Sequence, residues 1–132
     1  MAFLLDTNIV SDLVRHPEGR VADRVARIGV DNVCTSIIVA AELRYGAVKR
    51  RWTQLTAQLE AVLDSIDIVP LEPPVDVVYG RLRADLERTG RPIGANDLFI
   101  AAHALTLRHT LVSANEREFA RIDGLSVENW LR

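Results

Sequence analysis

Two rhythms of apolar and polar positions alternate along this chain. Short apolar runs at Phe3–Leu5, Val33–Ser36 and residues 68–71, 110–113 and 125–127 are too brief for helices and read as buried strands. The stretches between them repeat at helical spacing. Helices are predicted over residues 9–14, Arg20–Ile28 and 37–51. Another carries Trp52, Leu55, Leu59, Val62, Leu63 and Ile66 on one face. Val75, Val78, Tyr79, Leu82 and Leu86 mark the next, and Asn96-Asp97 opens an Ala-rich helix to about residue 107. A helical turn is expected over residues 116–120. Pro17, Gly29, Pro73-Pro74, Gly90 and Pro92 punctuate the series, and Thr7 or Asn8 is placed to cap the first helix.

Strands alternating with helices predict an α/β fold, a three-layer α/β/α domain with a mainly parallel central sheet. Its 132 residues suit one domain. In such sheets ligands bind outside the carboxyl ends of the strands. Asp6 ends the first strand, Ser36 and the helix carrying Glu42 follow the second, and Asn115 follows a third.

Composition narrows the class. Apolar residues make up 48% and charged residues 26%, an ordinary globular balance. No apolar run approaches the ~20 residues of a bilayer span, so no membrane association is expected. The first residues lack a basic segment and meet Asp6 at once, so a secretory signal is not expected. Cys34 is the single cysteine, which excludes an internal disulfide and a Cys-based zinc site and fits a small buried side chain in a cytoplasmic protein. A net charge of −2 argues against binding nucleic acid by bulk positive charge. The basic residues are fifteen Arg against one Lys, Lys49. Arg forks a phosphate well, although a coding preference explains the excess equally.

Three acids stand out because their surroundings are apolar. Asp6 closes an apolar strand and is either a helix cap or a ligand. Glu42 interrupts the uncharged run 37–43; a carboxylate there costs several kcal/mol unless it is metal-bound or paired, with Arg44 or another Arg. Asp97 sits in a first helical turn, where the helix dipole favours it, yet the apolar residues 98–102 follow directly. Carboxylates that cluster repel one another, so a divalent cation is their natural partner, and all-oxygen ligands suit Mg²⁺ or Mn²⁺. Asn115 and Glu118 compete for a fourth position, with a turn residue and a surface acid as the plain alternative. His103, on the apolar helix, is expected to be a satisfied core histidine rather than a ligand or base.

These segments resemble the PIN-domain nucleases, and within them the VapC-like toxins of bacterial toxin–antitoxin pairs (FitB-like subgroup). Leu4-Leu5-Asp6-Thr7-Asn8 is similar to the family's opening strand, Ala41 to Gly46 to the helix of its second acid, Gly94 to Ala104 to its third motif, and Leu111 to Phe119 to its fourth. The resemblance spans nearly the whole chain. It implies an endoribonuclease with Mg²⁺, or Mn²⁺ in its place, on Asp6, Glu42 and Asp97. Glu118 joins them as a catalytic acid, and Thr7, Asn8, Ser113 and Asn115 play supporting parts. The family often has Asp where this chain has Asn115, which weakens the case for a second metal. The resemblance also implies a homodimer and a cognate antitoxin that covers the site, with DNA contacted only through that antitoxin. A groove including Val10, Leu13 and the Trp52–Leu63 helix is the docking candidate, and Arg15, Arg44 and Arg91 are candidates for the RNA backbone. Rival functions are a catalytically weak binding module of the same fold and a metal-dependent DNase. A haloacid-dehalogenase-like phosphatase needs a second acid two residues after Asp6, where this chain has Asn8.

Overall fold

The computed structural model describes residues 2–51 and 53–132. Trp52, expected on the fourth helix, lies outside them. Five strands form one sheet in the order β3-β2-β1-β4-β5. They are β1 (Phe3–Leu5), β2 (Val33–Ser36), β3 (Asp67–Val69), β4 (Thr110–Val112) and β5 (Val127–Glu128). All four pairings are parallel. β1 is central, with Leu4 opposite Cys34 on one side and Leu111 on the other. It is apolar throughout because both its faces are covered; Leu4 and Leu5 are fully buried.

Helices α1 (Thr7–Arg15) and α2 (Arg20–Ile28) connect β1 to β2, and α3 (Ile37–Arg50) and α4 (Thr53–Ser65) connect β2 to β3. The chain then reverses direction across the sheet. α5 (Val75–Arg88) and α6 (Ala95–Leu107) lead to β4, and α7 (Glu116–Phe119) leads to β5. Right-handed crossovers put helices on opposite faces when the direction of strand addition reverses, which gives the three layers. α6 buries Leu98, Ile100, Ala101, Ala102, His103 and Ala104, as an apolar helix must. Phe119 and Ile122 close the core beyond β4, and Trp130 stacks at a tilt on Phe3 with centroids 5.2 Å apart.

Most element bounds match the sequence pattern, and the differences have local causes. Asp6, not Thr7 or Asn8, caps α1; its carboxylate accepts from the Thr7 amide at 2.8 Å, so the helix begins at Thr7. α6 starts at Ala95, a residue early, because the Gly94 carbonyl already accepts from the Leu98 amide. β3 begins at Asp67 and stops at Val69, where its partner β2 ends at Ser36. β5 comprises Val127–Glu128 rather than 125–127, since it pairs with Leu111 and Val112. Cys34 is buried, and burial beside the Asp67 charge pushes its thiol up to about 11, leaving it unreactive.

Candidate active site

β1 is where the order of strand addition turns: β2 and β3 lie to one side, β4 and β5 to the other. The crevice above its carboxyl end is therefore the expected ligand position. Asp6 stands there, only 3% exposed. One of its oxygens accepts from the Thr7 amide, and the other accepts from the Ser113 hydroxyl at 2.7 Å. Ser113 follows β4, the neighbouring strand, so the sheet itself brings these two residues together across 107 positions of sequence. The Ser113 oxygen also accepts from the Asn115 amide. Asn8, inside α1, accepts from the Ala114 amide at 3.1 Å and ties the helix to the same loop.

Glu42 arrives from the second turn of α3. Its carboxylate accepts from the Thr7 hydroxyl at 3.0 Å. Arg44 is not its partner: that guanidinium forks Glu60 on α4, at 2.7 and 3.0 Å. The Glu42–Arg44 ion pair weighed from sequence is thus replaced by a contact the local sequence could not reveal. Asp97 enters from the first turn of α6 beside Glu118, so that the two carboxyls can share a hydrogen bond when one of them is protonated. Glu118 is in turn fixed by the Asn115 side-chain amide, which donates to it at 3.0 Å. Asn115 thereby holds an acid through its amide nitrogen while lining the cleft.

The electrostatics register the crowding of like charge. Burial pushes Asp6 above the ordinary carboxylate range; its hydrogen bonds from Ser113 and Thr7 oppose this, and the Glu42 charge adds to it. Asp97 is pushed up to about 6, first by burial, then by the Asp6 charge, the bond to Glu118, and the charges of Glu118 and Glu42. The ion pairs described in the structure engage other acids, such as Asp23, Glu60 and Glu87. Among the described residues no three His, Cys, Asp or Glu side chains are drawn together tightly enough to enclose a cation. The acids converge on one end of the sheet, but Thr7, Ser113 and Asn115 each hold one of them. The donor set is all oxygen, anionic and partly dehydrated, which fits a hard divalent cation.

A cleft of about 680 Å³ opens from this cluster. Asp6, Thr7, Asn8, Glu42, Asp97 and Asn115 form its acidic end. Val14, Leu43, Ala47, Leu55 and Leu59 form an apolar end between α1, α3 and α4, with Arg15 and Arg50 on its wall. Val10, expected in this groove, is instead fully buried in the core. Arg50 was not singled out from sequence, yet Glu42, Gly46 and Arg50 follow one another four residues apart and all line the cleft. A shallower hollow on the other side of Glu42 is lined by Gly94, Ala95, Asn96 and Asp97. His103 is 1% exposed and hydrogen-bonded, the core histidine expected.

The PIN domain family model matches residues 3–125. The chain is 38% identical to a ribonuclease VapC2 from Rickettsia felis, over 98% of each protein. It is 34% identical to a tRNA(fMet)-specific endonuclease VapC from Shigella flexneri, again over 98% of each. The VapC chain family is also matched in three dimensions: VapBC2 from Rickettsia felis, solved bound to a DNA fragment from its promoter, superposes with a TM-score of 0.92 at 36% identity, over 98% of this chain and 99% of that one. This chain therefore belongs to the PIN domain family and, within it, to the VapC ribonucleases. Among the described residues no helix is long and apolar enough to cross a membrane.

Proposed function

We propose that this protein is a Mg²⁺-dependent endoribonuclease and the toxin of a toxin–antitoxin pair. The observation that carries this is the convergence of Asp6, Glu42, Asp97 and Glu118, from four separate elements, at the point where the sheet reverses. Asp6, Glu42 and Asp97 would hold the cation. When bound, it supplies an activated water and neutralises charge on the phosphodiester. The protein's own groups do the positioning: Ser113 fixes one Asp6 oxygen, Thr7 holds Glu42, and Asn115 holds Glu118 beside Asp97. In the proposed reaction the oxygen of a water bonds to phosphorus as the bond to O3′ breaks, giving a 5′-phosphate and a 3′-hydroxyl. tRNA is the first substrate to assay, because the Shigella flexneri relative is named for it. The purified protein is expected to cut RNA with Mg²⁺ or Mn²⁺ and to stop in EDTA. Equal cleavage with and without EDTA overturns the metal-dependent mechanism, and cleavage of DNA alone would make it a DNase.

Two partner surfaces accompany this proposal. Ile37, Ala41, Tyr45 and Val48 form one outward face of α3, with Tyr45 65% and Val48 78% exposed. Such a face suits a second copy of the chain. The apolar end of the cleft, flanked by Arg15 and Arg50, suits an amphipathic antitoxin segment, and DNA would be reached only through that antitoxin. Sedimentation tests both in one preparation: about twice the chain mass of 14.7 kDa for the protein alone, reduced by Tyr45→Glu, and a larger complex on co-expression with the adjoining reading frame. A wild-type monomer sinks the dimer.

A further inference from the structure

One buried polar group takes no part in the carboxylate cluster. The His103 Nδ1 lies 2.9 Å from the Ser36 hydroxyl, and both residues are essentially fully buried. The ring also hydrogen-bonds the backbone of Pro70, in the connection that follows β3. Pro70 offers only a carbonyl, which accepts; with Ser36 at Nδ1 the other nitrogen, Nε2, is left for Pro70, so we assign the hydrogen to Nε2 and leave Nδ1 bare. The Ser36 hydroxyl therefore donates to Nδ1, while its oxygen accepts from the Ile38 amide at 3.1 Å and caps α3. Every polar atom in this chain of contacts has a partner, and no buried side-chain polar atom among the described residues lacks one.

The two helices that meet here carry two of the acids. Glu42 lies six residues after Ser36, and Asp97 lies six residues before His103. Glu42 and Asp97 line the same small hollow and repel one another. α3 and α6 thus pass in opposite senses, with Ser36–His103 as one rung and Glu42–Asp97 as the next. Six helical residues span about 9 Å, so the buried rung sits close enough to set the open one. A hydrogen bond to a capped helix end fixes the register of the two helices. We propose that His103 is a positioning residue of the active site: through Ser36 it fixes where α3 starts against α6, and so sets the spacing of Glu42 and Asp97. This rests on the metal-site proposal above for its consequence but not for its geometry.

The test exploits the two nitrogens. An Asn side chain places its oxygen near the Nδ1 position and keeps an acceptor for Ser36. A Gln reaches the Nε2 position instead and keeps only the Pro70 bond. Mn²⁺ affinity, read calorimetrically on the full chain, is expected to weaken about tenfold or more in His103→Gln and Ser36→Ala, the scale found when a residue that orients a metal ligand is lost. His103→Asn should retain affinity within about threefold at a melting temperature no higher than that of His103→Gln. Loss in Asn equal to that in Gln, or wild-type affinity in both Gln and Ser36→Ala, overturns the proposal. If the wild-type protein binds no Mn²⁺, the metal site fails, and crystal structures decide the positioning role. An unchanged Glu42–Asp97 carboxylate separation in His103→Gln overturns it; a separation altered by about 0.5 Å or more, the tolerance of a productive site, supports it.

Discussion

Replacing Asp6 with Asn is expected to lower RNA cleavage at least a hundredfold, about the loss seen when one pre-organised electrostatic group is removed from an active site, while leaving the fold intact. The two shapes are nearly identical. An Asn oxygen still accepts from the Thr7 amide, and its NH₂ meets the Ser113 oxygen that now donates to Asp6. What disappears is a negative charge held in a site that resists charge, since burial already raises the Asp6 carboxyl. The variant should therefore melt no lower than wild type by more than a few degrees in EDTA. It should bind Mn²⁺ weakly. Single-turnover cleavage and thermal unfolding on one preparation check this. Activity within threefold of wild type would remove Asp6 from the centre of the mechanism.

Asp97→Asn should show opposite effects on stability and on function. In the metal-free protein Asp97 faces Asp6, Glu118 and Glu42, and its folded-state value is about 6 against an ordinary 3.8. Between these values the folded chain binds more protons than the unfolded one. Stability on this account is fullest below about pH 4 and falls as pH rises to about 6. Removing the charge removes that penalty at neutral pH. The variant is expected to melt a few degrees higher in EDTA at pH 7.5, the scale of about 1 kcal/mol in a domain of this size. Its melting temperature should vary less between pH 4 and 6, and added Mg²⁺ should raise it less than it raises wild type. Cleavage should fall with Asp6→Asn. A lower melting temperature in EDTA would mean that Asp97 is a stabilising helix-start charge rather than a strained member of an acidic cluster.

What sequence reveals here depends on how local the cause is. α2 is legible from end to end because Gly19 precedes it and Gly29, at φ 98°, stops it. β1, apolar at every position, announces a strand covered on both faces. The strand-end rule places Asp6 and Asn115 at one end of the sheet, whereas the Ser113 bond to Asp6 is seen only in three dimensions. The ends of α3 and α6 at Arg50 and Leu107 lie within a residue of those read from the pattern, although Arg51 and Arg108, not glycines, adopt the left-handed conformation there. β5 is shifted because its register belongs to β4, not to its own residues. The partners of the acids are the least legible. Thr7 finds Glu42 across 35 positions, and Arg44 leaves the adjacent acid for Glu60. Asp6 caps α1 with one oxygen while Ser113 holds the other, so capping does not use up its carboxylate.

The placement of β1 has a consequence for the order of synthesis. Phe3–Leu5 leaves the ribosome before the other four strands, yet it becomes the middle of the sheet, and its second neighbour is Thr110–Val112. A nascent chain that has not reached residue 110 carries Asp6 and Glu42 but has an open edge where β4 belongs. Ser113 and Asn115, which hold Asp6 and Glu118, follow later still. Asp6 is therefore made well before the residue that holds its carboxylate and the strand that closes the sheet beside it.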